Sequence, residues 1–184
     1  MRLSDEMYEE IKQTVTDTFG EYDIHCIPIS GFEMAVKMGL KVVPYSVMEE
    51  KQREAAKKIS EDGFSLETED GEWRIFFNDE SRTYQRINNT IMHEIGHYAL
   101  GHTQEGDDDE KESEANFFAK YALAPPPLIH AVCSKVTVES IMKMFDISYQ
   151  AAGHALRYYK NWLKYGKKFY TGYEKEMLEL FKCA

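Results

Sequence analysis

The chain has 184 residues, of which 43% are hydrophobic and 29% are charged, and its formal net charge is −10. This length and composition are typical of one globular domain with its own core, and they exclude a disordered or fibrous chain. The longest apolar run has four residues, Tyr121 to Ala124. A bilayer span needs about 20, so we expect no membrane segment and no secretory leader.

Cysteine usage and charge indicate the compartment and the partners. Cys26, Cys133 and Cys183 are odd in number and widely spaced, unlike a disulfide framework or a cluster of metal-binding thiolates. A reducing cytoplasm is therefore the expected location. The acidic net charge disfavours unspecific attraction to nucleic acid and to anionic lipid, so we expect neither as a partner.

The first part of the chain predicts helices and a short strand. Apolar residues recur every four positions along the first twenty residues, which predicts an amphipathic helix with Ser4 as N-cap and Gly20 as its stop. A second short helix is predicted over 32–38. Residues 40–45 are prone to β structure and include Pro44, which is typical of an edge strand.

The next segment predicts a helix and a hairpin. Ser46 and Glu49 match a capping box, which opens a polar helix predicted to end near Ser60. Two β-prone runs, 64–68 and 73–77, flank an Asp-Gly pair. This pattern favours two antiparallel strands joined by a tight turn.

Two helices separated by an acidic run follow. Apolar residues recur at three or four over 83–100, which predicts a helix with one buried face. Seven of the ten residues 105–114 are acidic, and the first half of this run predicts a solvated loop. A further helix is predicted over 110–124, and the three prolines at 125–127 must end it.

The C-terminal part predicts two helices, over 138–145 and 148–165, followed by a polar tail over 166–184. This pair is similar to a helix-turn-helix, and residues 149–170 carry five basic side chains and no acid. Contact with phosphates or with an acidic partner therefore stays open. The aromatic residues at helical spacing instead favour core packing, with the lysines solvated; they are Tyr158, Tyr159, Trp162 and Tyr165.

Together these elements predict one α+β domain over residues 1–184, mostly helical, with a small, partly antiparallel sheet beside the helix at 83–100. Its core is expected over about 30–165, including the C-terminal helical pair at 138–165.

The segment His93-Glu94-Ile95-Gly96-His97 is the H-E-x-x-H motif on a predicted helix. Residues four apart lie on one face with about 6 Å of rise, so both imidazoles can bind one Zn²⁺. A glutamate beside the first histidine can act as general base on a water that the metal activates. The composition of the chain gives the motif roughly a 2% chance of arising by coincidence.

A catalytic zinc needs a third protein ligand and keeps its fourth position open for water. A carboxylate about 20 residues downstream, on a second helix, would serve. Glu114 is the favoured candidate because it shares a helix face with Phe118 and Tyr121. Glu112 and Glu110 remain alternatives, although Glu112 lies off that apolar stripe.

These residues resemble the ImmA/IrrE family of zinc metallo-endopeptidases. The family has an H-E-x-G-H helix followed by E-x-E-A-N-x-F-A and a proline, which correspond here to 93–97, 112–119 and Pro125. The resemblance covers roughly residues 30–160 and is strongest around the two motifs. The segment 121–124 and the triple proline depart from the family pattern and bear on the local shape of the cleft.

The resemblance implies a function as well as a site. It implies that His93, His97 and Glu114 hold zinc and that Glu94 is the general base. It further implies regulatory proteolysis, whose protein substrate is a cognate helix-turn-helix repressor, often of a mobile element or a stress operon.

Three further features, His102, Cys133 and the acidic run 105–110, could belong to a site or be structural. His102 is half a turn from His93 and follows Gly101, a predicted helix stop, so we expect a surface or supporting group rather than a ligand. Cys133 lacks the local signature of a thiol nucleophile and is expected to be buried and structural. For the acidic run 105–110, the alternatives are a solvated loop and a site for a cation or a basic segment.

A second class of function remains open. In it the chain is a non-catalytic regulator that contains structural zinc and binds DNA or a protein through its C-terminal helical pair. Ligand count discriminates the two classes, because an enzyme has three protein ligands plus water and a structural site has four protein ligands.

Overall fold

The structure is a computed structural model that describes residues 3–69, 71–80, 82–102, 109–165 and 169–183. It confirms the predicted class, a mostly helical α+β chain with a small mixed sheet. In chain order the elements are α1 (Asp5–Glu21), α2 (Gly31–Lys37), β1 (Lys41–Pro44), a 3-10 helix (Tyr45–Val47), α3 (Glu50–Ile59), β2 (Gly63–Glu67), β3 (Trp73–Phe77), α4 (Tyr84–Ala99), α5 (Asp109–Leu123), α6 (Pro126–Val132), α7 (Val138–Phe145), α8 (Tyr149–Tyr165), α9 (Gly172–Leu180) and a terminal 3-10 turn (Phe181–Cys183).

The sheet has the strand order β1-β3-β2. β2 and β3 are antiparallel, with Gly63 opposite Phe77, so the predicted hairpin is confirmed. β1 runs parallel to β3 and forms one edge, which also confirms the edge position of Pro44. Ser65 lies opposite the fully buried Ile75. Cross-strand partners share a face of a sheet, so Ser65 lies on the buried side, where the sheet contacts α4.

Helix α1 closes one side of the core. Its N-cap is Ser4, as predicted, whose side chain accepts a hydrogen bond from the Met7 backbone N–H. The helix packs against α5 and α9, and the rings of Phe19 and Phe181 meet edge to face at 5.6 Å. No helix within the described ranges combines the length and the apolar character needed to cross a membrane.

Helix α4 is the central element and packs against α5, α2 and the sheet. Ile91 and Ile95 are fully buried on its core side. Gly96 allows α5 to approach closely, because a Cβ at this position would lie 3.1 Å from the ring of Phe118. This packing fixes α4 against α5, and the adjoining face of α4 borders a cleft whose other walls come from α5 and β2.

The predicted capping box is wrong. Ser46 belongs to the 3-10 helix, and its N–H and hydroxyl both donate to the Asp79 carboxylate, at 3.0 and 2.6 Å. Helix α3 begins after Glu49 without a side-chain cap. Two bonds to one carboxylate satisfy Ser46 better than the single bond that a cap would offer.

The prolines end α5 as predicted, but they also begin α6. Pro126 and Pro127 lie in its first turn, where their missing N–H groups have no helical partner to lose. The predicted polar tail contains α9, whose Tyr173 and Met177 are buried and whose Thr171 and Glu174 form a capping box. Burial of this face joins the tail to α1.

The C-terminal helices α7 and α8 confirm the predicted pair. Tyr158 packs against Phe117 of α5 at 5.8 Å, and Tyr159 stacks on Trp162 at 5.9 Å. These three aromatic residues of α8 therefore belong to the core, as expected. Tyr165 does not, since it is 76% exposed.

Candidate metal centre

The two histidines of the motif meet on the cleft face of α4. Their Nε2 atoms lie 3.1 Å apart, and their side chains are mostly buried. They border a cleft of about 540 Å³ whose walls come from β2, α4 and α5. The helical spacing thus produces the predicted pair of imidazoles on one face.

The carboxylate beside this pair belongs to Glu112, in the first turn of α5. Its Oε2 lies 3.4 Å from Nε2 of His93 and its Oε1 lies 3.2 Å from Nε2 of His97. A tetrahedral zinc with bonds of about 2.0–2.1 Å places its ligand atoms about 3.3 Å apart. Each imidazole nitrogen lies at about this distance from one of the two Glu112 oxygens, and one ligand atom from each residue lies within 4.8 Å of the others, so the three side chains can close on an ion of that size. Among the described residues, His93, His97 and Glu112 form the group able to hold a metal.

The structure does not place Glu114 with the two imidazoles. Glu114 is buried, and its Oε2 lies 2.8 Å from Nε2 of His102. Two residues along a helix correspond to about 200° of rotation, so Glu112 and Glu114 leave α5 on different sides. The apolar stripe that favoured Glu114 packs beneath the site. Glu110, the other alternative, is exposed and lies outside the ligand group.

The protonation states suit a cation. Burial lowers the pKa of His97 to about 4, so its imidazole is neutral at neutral pH. The hydrogen bond from His93 lowers the pKa of Glu112, which keeps that carboxylate ionised. A neutral imidazole and a carboxylate are the forms that bind zinc.

Glu94 is buried beside the histidines, on the side of the sheet. Its Oε2 accepts a hydrogen bond of 2.7 Å from the hydroxyl of Ser65 on β2. Burial raises the pKa of Glu94, which brings it toward the range useful for a general base at neutral pH. Sequence reasoning missed Ser65. The signal available was a serine at a position that the hairpin register pairs with the buried Ile75.

His102, for which we expected a surface or supporting position, is buried and lies outside the ligand group. The end of α4 carries it there: Gly101 has a φ of +67°, its N–H donates to the Tyr98 carbonyl, and the His102 N–H donates to the His97 carbonyl. These paired bonds form a Schellman motif. The turn brings Nδ1 of His102 to 3.0 Å from Nδ1 of His97.

The structure also bears on the predictions for Cys133 and for the acidic run 105–110. Cys133 is buried, and burial raises the pKa of its thiol, which fits a structural cysteine rather than a nucleophile. In the acidic run, residues 105–108 lie outside the described part of the chain, and residues 109–110 begin α5.

Comparison with known families agrees with this geometry. Residues 42–157 match peptidase family M78, described as the IrrE N-terminal-like domain. The match spans more than half of the chain and includes both halves of the site, so the chain belongs to this family of metallopeptidases. The resemblance to the ImmA/IrrE family is thereby confirmed. No curated protein matches the chain.

Proposed function

We propose that the protein is a zinc-dependent endopeptidase of the cytoplasm, with His93, His97 and Glu112 as metal ligands and Glu94 as general base. One observation carries the proposal. Two imidazole nitrogens and a carboxylate come within 3.1–3.4 Å of one another, beside a buried glutamate on the same helix.

Zinc, when bound, polarises the scissile carbonyl and lowers the pKa of a water molecule. Glu94 takes the proton from the attacking water and passes it to the leaving amine. Burial favours the protonated form of Glu94, so the carboxyl can hold this proton between the two steps. Ser65 donates to Oε2 of Glu94 and keeps the side chain oriented toward the cleft.

The ligand set supports catalysis over a purely structural zinc. A structural site closes its coordination with four protein ligands, whereas a catalytic site leaves one position for water. Three residues form the ligand group within the described ranges. The nearby His102 and Glu114 bind each other instead.

We also propose a substrate of the kind that the family resemblance implies, a helix-turn-helix repressor of a mobile element or stress operon. The exposed lysines of α8, Lys160 and Lys164, would dock an acidic surface of that repressor rather than DNA. The packing of Tyr158 onto α5 supports this role, because it places α8 beside a helix that lines the cleft.

Metal analysis tests the ligands. The purified protein should bind one Zn²⁺ per chain, and His93→Ala, His97→Ala and Glu112→Ala should each lose most of it. Glu114→Ala, on the same helix, should retain more zinc than Glu112→Ala. Unchanged zinc in both histidine variants would refute the site.

Separation of metal content from turnover tests the general base. Glu94→Gln should keep zinc but lose proteolysis, because an amide cannot accept the proton of water. Suitable probes are a peptide library and any helix-turn-helix repressor that an adjacent reading frame encodes. Turnover at the wild-type rate in a zinc-loaded Glu94→Gln variant would exclude the role of Glu94.

A further inference from the structure

We propose that His102 and Glu114 are positioning residues that hold His97 in the tautomer whose Nε2 is free to bind the metal. This inference rests on the proposed zinc site and assigns a role to two buried residues outside its ligand group.

The three side chains form a continuous line of hydrogen bonds. Oε2 of Glu114 lies 2.8 Å from Nε2 of His102, and Nδ1 of His102 lies 3.0 Å from Nδ1 of His97. From the other end of its ring, His97 directs Nε2 at Nε2 of His93 and at Glu112. Both ring nitrogens of His102 therefore have partners, and one partner is a proposed ligand.

The donors and acceptors along this line follow from its end at Glu114. An ionised carboxylate only accepts, so Nε2 of His102 carries the proton that bonds to it. In the proposed arrangement the single proton between the two Nδ1 atoms, which lie 3.0 Å apart, belongs to His97, so Nδ1 of His97 donates and Nδ1 of His102 accepts. Nε2 of His97 then has a free lone pair that points at the metal position.

The line matters because His97 has a competing tautomer. With its proton on Nε2, His97 could donate to the Glu112 carboxylate 3.2 Å away, and this form cannot bind a metal through Nε2. The bond to His102 stabilises the other tautomer. The partners of ligating histidines typically change metal affinity about 10–100-fold when they are removed.

Burial and backbone geometry make the arrangement rigid. His102 is 9% exposed and Glu114 is 8% exposed, so water cannot readily replace either bond. The Schellman motif holds the His102 backbone on the His97 carbonyl, so backbone and side chain of one residue both contact His97.

Zinc affinity, measured by competition with a chelator, tests the proposal. His102→Phe keeps a ring but removes both nitrogens and should weaken zinc binding by about 10–100-fold. His102→Gln should restore part of the loss, because an amide can accept from His97 and donate to Glu114. The matched control is His130→Phe, which removes a histidine bonded to Tyr159 outside the cleft and should leave zinc affinity unchanged.

Nitrogen-15 NMR of the zinc-loaded wild-type protein gives a readout that depends on no variant. His102 should carry its proton on Nε2, and a scalar coupling across the hydrogen bond should connect Nδ1 of His97 with Nδ1 of His102. A proton on Nδ1 of His102 would overturn the proposal.

The outcomes separate this inference from the proposed function. If the wild-type protein binds no zinc, the proposed function itself fails. If the wild-type protein binds zinc and a folded His102→Phe variant binds it with unchanged affinity, only the positioning role fails. If Glu114→Ala abolishes binding while Glu112→Ala leaves it intact, Glu114 is a ligand and the positioning role is wrong.

Discussion

The substitution Gly96→Ala probes how closely α4 and α5 must approach to form the site. The new Cβ would lie 3.1–3.2 Å from three carbons of Phe118, whereas ordinary contacts are 3.4–4 Å. Overpacking of this kind costs about 1–3 kcal/mol. Alanine has the higher helix propensity by about 1 kcal/mol. We therefore expect the free energy of unfolding to fall by about 0–2 kcal/mol.

Gly153→Ala is the matched control, because Gly153 also lies inside a helix, α8, and its added Cβ would meet no atom within 4 Å. This variant should gain about 1 kcal/mol from helix propensity alone. The free energies of unfolding of the two variants should thus differ by about 1–3 kcal/mol, with Gly153→Ala above the wild type and Gly96→Ala at or below it. In a domain of this size each kcal/mol corresponds to about 2–4 °C in Tm.

Urea unfolding of the zinc-free proteins, followed by circular dichroism, measures this difference. Zinc affinity should also fall in Gly96→Ala and not in Gly153→Ala, because α5 must move by a few tenths of an ångström and it carries Glu112. Adding Phe118→Leu to Gly96→Ala should recover part of the affinity. If Gly96→Ala is as stabilising as Gly153→Ala, the contact between α4 and α5 accommodates a Cβ at position 96 without cost, and the reasoning is refuted.

Two further predictions concern the supports of α4. Asn88→Ala should lower the free energy of unfolding by about 1–3 kcal/mol, because the N–H of Gly31 and the carbonyl of Ile29 lose their buried partner. Urea unfolding measures this loss, and a value below about 0.5 kcal/mol would contradict the prediction. Asp62→Asn should cost less than about 1 kcal/mol at pH 7, since both of its partners, Arg82 and Arg86, are partly exposed. The bond from Arg86 lowers the pKa of Asp62 in the folded state, so its contribution is present above the ordinary value of 3.8 and is lost as the pH falls through the folded pKa. A difference in stability that persists in full at strongly acidic pH would argue against this electrostatic origin.

The sequence by itself determined those features that depend on neighbours along the chain. The spacing of His93 and His97 fixes both imidazoles on one face of α4 because a helix turns about 100° per residue. The Asp-Gly pair between two β-prone runs likewise predicted the antiparallel pairing from local sequence. Gly101 signals the end of α4, since its left-handed conformation carries little cost for glycine.

Only the tertiary structure decided which carboxylate joins the histidines. Glu112 and Glu114 both border the face of α5 that packs on α4, and helix periodicity alone does not tell which edge of that face opens into the cleft. The contact of Phe118 with Gly96 sets the rotation of α5, which directs Glu112 to the imidazoles and Glu114 to His102. Contacts between residues distant in sequence fix such rotations, and no pattern within one helix encodes them.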